Sequence, residues 1–384
     1  MPYDAIRHIT KIHSKLKLPI KCVRTQVICI KIVCIKASTL FKIKKMHKKV
    51  LLTGVTGFLG SHTTIQLLNK GYEVIGTLRD VKRIETIKAI IAKHTKNINH
   101  LSFYEINLSD STDKWKVAMK GVDYIVHIAS PFPTVLPKHE NDIILPAKNG
   151  TLNILKAATA SGVKRVVVTS STGSVVYGER KNGTFTEKDW TNVSNKKDTT
   201  PYFRSKTIAE KSAWDYVKNN KNSPELVTIL PGAILGPILD KSDYGTSVNL
   251  IKKLMDGSMP AMPRIGFEMV DVRAVADAHI KALESPNASG NRYLCTSGYM
   301  EFKGLAKILK KEFPNSKIPS KTLPNFMVKL FSTFDKETKP ILNDLGTKRL
   351  VDNSKIKKEL NWSPISLTVS IKTTAQSLID LNII

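Results

Sequence analysis

Short runs of β-branched residues alternate with longer helix-like segments from Lys48 onward. The apolar run 50–53 predicts a strand, positions 58–69 predict a helix, and 73–77 predicts a second strand. Alternation of this kind is typical of a parallel sheet covered by helices. The same pattern predicts further strands at 101–106, 124–128, 165–169 and 226–230, and further helices at 144–160 and 202–218. The sequence therefore predicts an α/β protein with a doubly wound parallel sheet.

The regularity loosens beyond Pro231, where proline and glycine interrupt the pattern. We expect a smaller part there that returns some elements to the main sheet. The predicted organisation is an N-terminal extension over 1–45, an α/β domain over 46–230, and a smaller part over 231–384.

Composition narrows the function classes. Hydrophobic residues make up 41% of the chain and the mean hydropathy is -0.15, which is ordinary for a globular protein with a buried core. The net charge of +28 would suit a nucleic-acid or membrane partner. However, the basic residues after position 45 are mixed with acids, and they form no stripe interleaved with aromatic residues. We expect neither nucleic acid nor membrane as a partner.

The first 45 residues differ from the rest of the chain. They hold 11 lysines or arginines against one acid, Asp4. The apolar run 27–35 is interrupted by Lys31 and is about half as long as the ~20 residues of a membrane span. We expect a disordered tail, or a stretch upstream of a native start at Met46, in a cytoplasmic protein; the alternative is an organelle-targeting leader. Three of the four cysteines lie here without a CxxC pair, so we expect no disulfide framework and no metal site.

A glycine-rich segment, Thr53-Gly-Val-Thr-Gly-Phe-Leu-Gly60, joins the first predicted strand to the first helix. Gly54 lets the chain turn sharply, Gly57 lets the backbone approach a pyrophosphate, and Gly60 lets the helix pack closely on the sheet. The position between strand and helix favours dinucleotide binding over an ordinary tight turn. The predicted cofactor contacts in this turn are Thr53, Gly54, Thr56, Gly57, Phe58, Leu59 and Gly60.

The GxxGxxG spacing of this turn resembles the extended short-chain dehydrogenase/reductase family. That resemblance implies a Rossmann fold and a nicotinamide cofactor. Residues 46–230 would then form the cofactor-binding domain, and 231–384 a mainly substrate-binding part. An acid at the end of the second strand would bind the adenosine ribose of NAD, whereas a cation accommodates the 2′-phosphate of NADP. Here the strand ends at Arg79, beside Asp80, and a guanidinium both pairs with phosphate and stacks on adenine. Arg79 therefore predicts NADP(H).

Tyr202 and Lys206 lie four residues apart in a predicted helix, so they share one helical face. A phenol is a poor acid-base group at pH 7, and a nearby ammonium would shift its pKa toward the working range. Upstream, Ser170 and Ser171 follow a predicted strand, where a hydroxyl can bind a substrate carbonyl. The set resembles the family's Ser-Tyr-Lys triad and maps onto Ser171, Tyr202 and Lys206. By that resemblance Ser171 orients the carbonyl, Tyr202 delivers a proton, and Lys206 binds the nicotinamide ribose and tunes Tyr202.

Further segments extend the resemblance. Residues 205–214 and 270–279 are similar to segments of the dihydroflavonol 4-reductase-like subgroup. The remaining cofactor contacts implied by the resemblance are Asn107 and Leu108 at the adenine, Ile128, Ala129 and Ser130 after the fourth strand, and Pro231, Ala233 and Ile234 on the nicotinamide side. The predicted substrate contacts are Phe132, Ser171, Val176 and Tyr177. His127, His139 and His279 lack carboxylates at ligand spacing, so we expect packing or hydrogen bonding from them.

Two departures bear on the substrate. Val176 stands where plant flavonoid reductases carry an asparagine, and residues 188–192 lack the stretch typical of cinnamoyl-CoA reductases. We therefore predict an NADPH-dependent reductase of a small aldehyde or ketone, acting as a monomer or homodimer. The alternatives are a sugar-nucleotide epimerase or dehydratase, a hydroxysteroid dehydrogenase, and a non-enzymatic NADP-sensing protein. Arg79 argues against the sugar enzymes, which retain NAD, and the presence of both Tyr202 and Lys206 argues against a sensor.

Overall fold

A computed structural model describes residues 47–131, 139–180, 182–241, 245–332 and 339–384 of this chain. The predicted extension over 1–45 and the predicted substrate contact Phe132 lie outside these residues. Among the described helices, none combines the length and the apolar character that crossing a membrane requires.

In the described part of the chain, seven strands form the main sheet, and all neighbouring strands run parallel. Their spatial order is β10-β7-β5-β4-β1-β2-β3. These strands are β1 (Lys49–Thr53), β2 (Glu73–Leu78), β3 (Leu101–Glu105), β4 (Tyr124–His127), β5 (Arg165–Thr169), β7 (Glu225–Pro231) and β10 (Asn291–Cys295). The predicted doubly wound parallel sheet is confirmed.

Eleven α-helices lie in the described residues and connect or cover the strands. They are α1 (Phe58–Asn69), α2 (Ile84–Ala92), α3 (Thr112–Ala118), α4 (Asn141–Ala160), α5 (Pro201–Asn219), α6 (Thr246–Met255), α7 (Val272–Glu284), α8 (Phe302–Glu312), α9 (Asn325–Phe331), α10 (Ser354–Glu359) and α11 (Leu367–Asp380). The structure confirms the predicted helix 58–69 to the residue. Helix α4 begins three residues before its predicted start, and it contains Pro146, whose missing N–H removes one helical hydrogen bond.

The two faces of the sheet bury different sets of side chains. Successive strand residues point to opposite faces, so Val50 and Leu52 pack in one apolar cluster and Leu51 packs in another. The first cluster includes side chains from α1, α2 and α7. The second includes side chains from α3, α4 and α5. Burial on both faces explains why β1 reads as the continuous apolar run Val-Leu-Leu.

Smaller sheets follow the main one. β8 (Ala233–Leu235), β9 (Gly266–Asp271) and β11 (Gly298–Glu301) form one, and β6 (Asn182–Phe185) pairs with β12 (Lys348–Val351). Helices α6, α8 and α11 pack with β8 and β9 around a third apolar cluster. The segment after position 231 also supplies β10 to the main sheet and α7 to the surface of α1. Elements of the main sheet and of the smaller sheets are therefore interleaved along the chain.

Candidate active site

The predicted site residues gather at the carboxyl edge of the main sheet. The strand order reverses between β1 and β4, because β2 and β3 extend the sheet to one side of β1 while β4 and β5 extend it to the other. Loops that leave adjacent strands in opposite directions open a crevice at such a point, and ligands of doubly wound sheets bind there. The glycine turn follows β1, the segment 128–130 follows β4, and Ser171 follows β5.

The glycine turn has the backbone geometry of an anion cradle. Gly54 has a φ of +77°, which favours glycine, and a side chain on Gly60 would overlap the Gly54 carbonyl oxygen. Helix α1 follows Gly57, and no described side chain caps it. The N–H groups of an uncapped first turn are available to a negatively charged ligand, and the helix dipole favours such a ligand. The turn therefore fits a pyrophosphate, as expected for a dinucleotide.

Thr53 fastens the segment after β4 to the glycine turn. Its Oγ1 accepts hydrogen bonds from the backbone N–H groups of Ile128 and Ala129, each at 3.0 Å. Because both of those partners donate, Thr53 gives its own hydroxyl proton to His127 Nδ1 at 2.9 Å. Burial first, and then the positive charge of Lys206, lower the pKa of His127 to about 3. This histidine is therefore neutral and structural, and it holds Thr53 in place.

The adenine side of the crevice is more open. Arg79 directly follows β2 and is exposed, with room to meet a ligand. The neighbouring Asp80 accepts a hydrogen bond from the backbone N–H of Lys82 at 3.0 Å, so this carboxylate caps the short 3₁₀ helix Val81–Arg83. The acid beside Arg79 thus has a local structural role. Asn107 and Leu108 lie in the turn after β3, where the Asn107 side chain accepts from Ser109 N–H at 3.4 Å.

The hydroxyl groups of Ser171 and Tyr202 lie close enough to interact. Ser171 also caps the 3₁₀ helix Thr172–Ser174 by accepting from Gly173 N–H at 3.0 Å. Tyr202 lies in the first turn of α5, which Pro201 opens. One turn later, Lys206 Nζ donates to the backbone oxygen of Thr169, the last residue of β5, at 3.1 Å. The structure thus brings all three predicted catalytic residues to the ends of β5 and α5.

Burial controls the proton affinities of this set. It raises the pKa of Tyr202 to about 12, against the opposing effect of the Ser171 hydroxyl. It lowers the pKa of Lys206 to about 8, against the attraction of Glu210. The sequence suggested that the Lys206 ammonium would bring the tyrosine pKa down, whereas desolvation dominates here. Tyr202 consequently holds its proton firmly at neutral pH.

The two adjacent serines face different partners. Ser170 is buried and donates to Glu210 Oε2 at 2.6 Å, whereas Ser171 is partly exposed and lies beside Tyr202. The carboxylate of Glu210 was not among the predicted site residues. Its spacing of four residues from Lys206 was a signal for it, because i and i+4 share a helical face.

The other predicted contacts are placed as follows. Val176 and Tyr177 are 6% and 5% exposed and lie in an apolar cluster with Phe185, which favours packing over substrate contact for this pair. Pro231 ends β7, and Ala233 and Ile234 form part of β8. In the part of the chain that is described, no three His, Cys, Asp or Glu side chains are arranged to hold a metal ion.

Comparison with known proteins places this geometry in a family. The sequence profile of the NAD dependent epimerase/dehydratase family matches residues 50–295. An uncharacterized oxidoreductase of Schizosaccharomyces pombe is 36% identical over 283 residues, covering 70% of this chain and 83% of that protein. A ketoreductase of Aspergillus niger is 32% identical over 307 residues, covering 76% of this chain and 90% of that protein.

A solved structure with the same fold is that of yeast methylglyoxal/isovaleraldehyde reductase Gre2 complexed with NADPH. It matches with a TM-score of 0.73 and 26% identity, covering 87% of this chain and 99% of that one. Plant anthocyanidin and dihydroflavonol 4-reductases are further relatives, at 33% and 32% identity. The predicted resemblance is confirmed: this chain belongs to the NAD dependent epimerase/dehydratase family, within the dihydroflavonol 4-reductase-like extended short-chain dehydrogenases/reductases.

Proposed function

We propose that this protein is an NADPH-dependent reductase that transfers hydride to the carbonyl of a small aldehyde or ketone, with Tyr202 as the proton donor. Its relatives and structural neighbours are reductases, and neighbouring structures contain NADPH, so the chain is an NADP-dependent oxidoreductase. The observation that carries the finer proposal is the approach of the Ser171 and Tyr202 hydroxyl groups at the end of β5, with Lys206 one helical turn away.

The raised pKa of Tyr202 supports the direction of reduction. A phenol with a pKa of about 12 keeps its proton at neutral pH until negative charge develops on a nearby oxygen. When bound, NADPH supplies the hydride that is added to the carbonyl carbon. Tyr202 gives its proton to the carbonyl oxygen, and the Lys206 ammonium stabilises the phenolate that is left. Solvent then returns a proton to Tyr202.

Ser171 completes the arrangement as a donor. Its Oγ accepts from Gly173 N–H, so its own proton is available to the Tyr202 oxygen or to a substrate carbonyl in the same place. A carbonyl held by both hydroxyls would have its oxygen fixed before the hydride arrives. Specificity for the rest of the substrate would depend on side chains after Pro231.

The test is the loss of NADPH absorbance over a panel of aldehydes, α-keto compounds and aromatic ketones, with NADH in parallel. We expect turnover that prefers NADPH and a fall in kcat of about 10²–10⁴ in Tyr202→Phe. Tyr216→Phe is the matched control, because Tyr216 lies on the same helix and donates to Thr159 Oγ1, away from the site. NADPH binding without turnover of any carbonyl would contradict the proposal.

A further inference from the structure

Glu210 is the most heavily bonded acid near the proposed site. Its carboxylate is 1% exposed, and Arg292 Nε of β10 donates to Oε1 at 2.8 Å. Thr228 Oγ1 of β7 donates to the same oxygen at 2.9 Å. The other oxygen, Oε2, lies 2.6 Å from Ser170 Oγ and 2.7 Å from Ser174 Oγ. One carboxylate thus joins α5 to β7, to β10 and to the turn after β5.

The two serines bracket Ser171. Ser170 precedes it, and Ser174 Oγ lies 2.8 Å from the Ser171 backbone oxygen as well as against Glu210. Ser170 and Ser174 are 5% and 0% exposed. Water therefore cannot take over their hydrogen bonds to Glu210 unless the turn opens. The position of Ser171 is therefore fixed from both sides by groups that end at Glu210.

Glu210 also faces the proposed lysine. It lies one turn beyond Lys206 on α5, and the two side chains line the same cavity of about 10 Å³ together with Ser170 and His127. A space of that size holds about one water molecule. With so little water between them, the carboxylate and the ammonium attract each other more strongly than surface charges do.

We propose that Glu210 is a positioning residue: it fixes the turn that presents Ser171 and supplies the negative charge that keeps Lys206 protonated. This inference rests on the proposed reductase function. The other charged or titratable groups around the pair come from three elements. They are Arg292 of β10, His127 of β4, and Tyr202 of α5.

None of those three groups favours the protonated form of Lys206. Arg292 is a fixed cation bonded to Glu210, and His127 is neutral because its pKa is about 3. Tyr202 is protonated below its pKa of about 12. Glu210 is therefore the group whose charge favours the ammonium form, against the burial that lowers the pKa of Lys206 to about 8.

Glu210→Gln tests both roles at once. It keeps the shape of the side chain and removes the charge, so the pKa of Lys206 should fall further. We expect the alkaline limb of the kcat profile to move down by about one pH unit, since one nearby charge shifts a buried pKa by at least that much. At pH 8, where wild-type Lys206 is about half protonated, this shift alone should lower kcat about fivefold. Ser170→Ala should lower kcat without moving the limb, because it leaves the charge in place.

A second readout needs neither cofactor nor turnover. The lowered pKa of Lys206 in the folded state makes the unfolded chain bind more protons, so stability rises with pH above the folded pKa. In the ligand-free protein, the contribution of Lys206 to the Tm should therefore begin to rise at a lower pH in Glu210→Gln than in wild type. The difference in Tm between the two proteins should change between pH 6.5 and 9. Glu225→Gln is the control: Glu225 pairs with buried Arg165 at the opposite end of β5 and β7.

The outcomes separate the two proposals. If wild type turns over no carbonyl, the proposed function fails, and the ligand-free Tm series still decides the role of the Glu210 charge. If wild type is active and Glu210→Gln keeps both kcat and the alkaline limb, the inference is overturned. A loss of kcat that is equal at every pH, with an unchanged Tm profile, would also overturn the charge role. Should Glu210→Gln fail to fold, Glu210→Asp, which keeps the charge and shortens the reach, should retain the limb but lose kcat.

Discussion

Two buried arginines of this protein differ in the number of acids that they pair with. The first, Arg292, belongs to a group that we name the Glu210 cluster: Glu210, Arg292, Ser170, Ser174 and Thr228. The second, Arg349, belongs to a group that we name the Asp344 cluster: Asp198, Asp344, Arg349 and Tyr177. Arg349 donates to Asp198 Oδ1 at 2.7 Å and to Asp344 Oδ1 at 2.8 Å. The Glu210 cluster has one acid for its arginine, and the Asp344 cluster has two.

The difference in charge balance decides the ionisation of the acids. Burial alone would raise the pKa of Glu210, but Arg292 and the serine hydroxyls lower it below its usual value. Burial raises the pKa of Asp344 to about 6, because Arg349 is shared and the charge of Asp198 is repulsive. Two acids that are both buried therefore differ in charge: Glu210 is a permanent anion beside the proposed site, whereas Asp344, which accepts from Tyr177, titrates.

The largest expected effect comes from breaking the balanced cluster. Arg292→Met removes the cation that is hydrogen-bonded to the buried Glu210 carboxylate, so the free energy of unfolding should fall by about 3–5 kcal/mol. Urea denaturation at pH 7.5, followed by circular dichroism, measures this. Arg180→Met is the matched control: Arg180 lies over the Phe185 ring, as Arg292 lies over Trp190, and it pairs with an acid, but its side chain is 48% exposed.

The control should lose less than about 1 kcal/mol, because exposed ion pairs contribute little. An Arg292→Met variant as stable as Arg180→Met would show that the hydroxyl donors alone satisfy Glu210. The contrast between the two clusters would then have another cause than charge balance.

A smaller effect of opposite sign is expected from Asp344→Asn. The folded-state pKa of about 6 lies above the unfolded value, so the folded protein binds more protons in the window between about 4 and 6. Stability from this group is therefore present at low pH and is lost as the pH rises through 6. Asparagine resembles the protonated acid and can still accept from Arg349 and from Tyr177 at Oδ1.

The free energy of unfolding of Asp344→Asn should thus rise relative to that of wild type by about 2 kcal/mol between pH 4.5 and pH 7.5. Thermal melts at both pH values measure the change. Glu210→Gln provides the comparison, because its acid is already ionised and bonded, so it should stabilise the protein at neither pH. Destabilisation by Asp344→Asn at pH 7.5 would mean that the ionised carboxylate stabilises the fold, which contradicts a raised folded-state pKa.

These clusters also mark the limit of what the sequence predicted. The strands of the main sheet could be predicted from the sequence, because strands that are buried on both faces have continuous apolar runs such as 50–52. The cofactor crevice could be predicted from the glycine turn, because only glycine can occupy positions 54 and 60. Such signals are local in the chain.

The ion pairs are not local. Glu210 and Arg292 are 82 residues apart, and Asp198 and Arg349 are 151 apart. No pattern of spacing connects them, because strand order and loop packing bring them together. The same limit explains Tyr177, which the sequence offered as a substrate contact and the structure places against Arg349, with the guanidinium carbon 4.5 Å from its ring centroid.

The smallest expected effect compares one hydroxyl from each cluster. Tyr177 donates to Asp344 Oδ1 at 3.2 Å, and Thr228 donates to Glu210 Oε1 at 2.9 Å. Tyr177→Phe and Thr228→Val each remove a donor to a buried carboxylate, so each should cost about 1–2 kcal/mol of unfolding free energy at pH 7.5. Their pH dependence should differ, because Glu210 stays ionised at pH 5 whereas Asp344 takes up a proton.

At pH 5 the cost of Tyr177→Phe should therefore shrink below about 1 kcal/mol, while the cost of Thr228→Val stays constant, as measured by urea denaturation at the two pH values. The Tyr177 hydrogen bond lowers the pKa of Asp344, so it stabilises the ionised form of that acid. Its contribution to the free energy of unfolding therefore decreases when Asp344 takes up a proton. A pH-dependent cost for Thr228→Val would place a titrating acid in the Glu210 cluster as well. The acids of both clusters would then titrate, and the permanent negative charge that we assign to Glu210 would be contradicted.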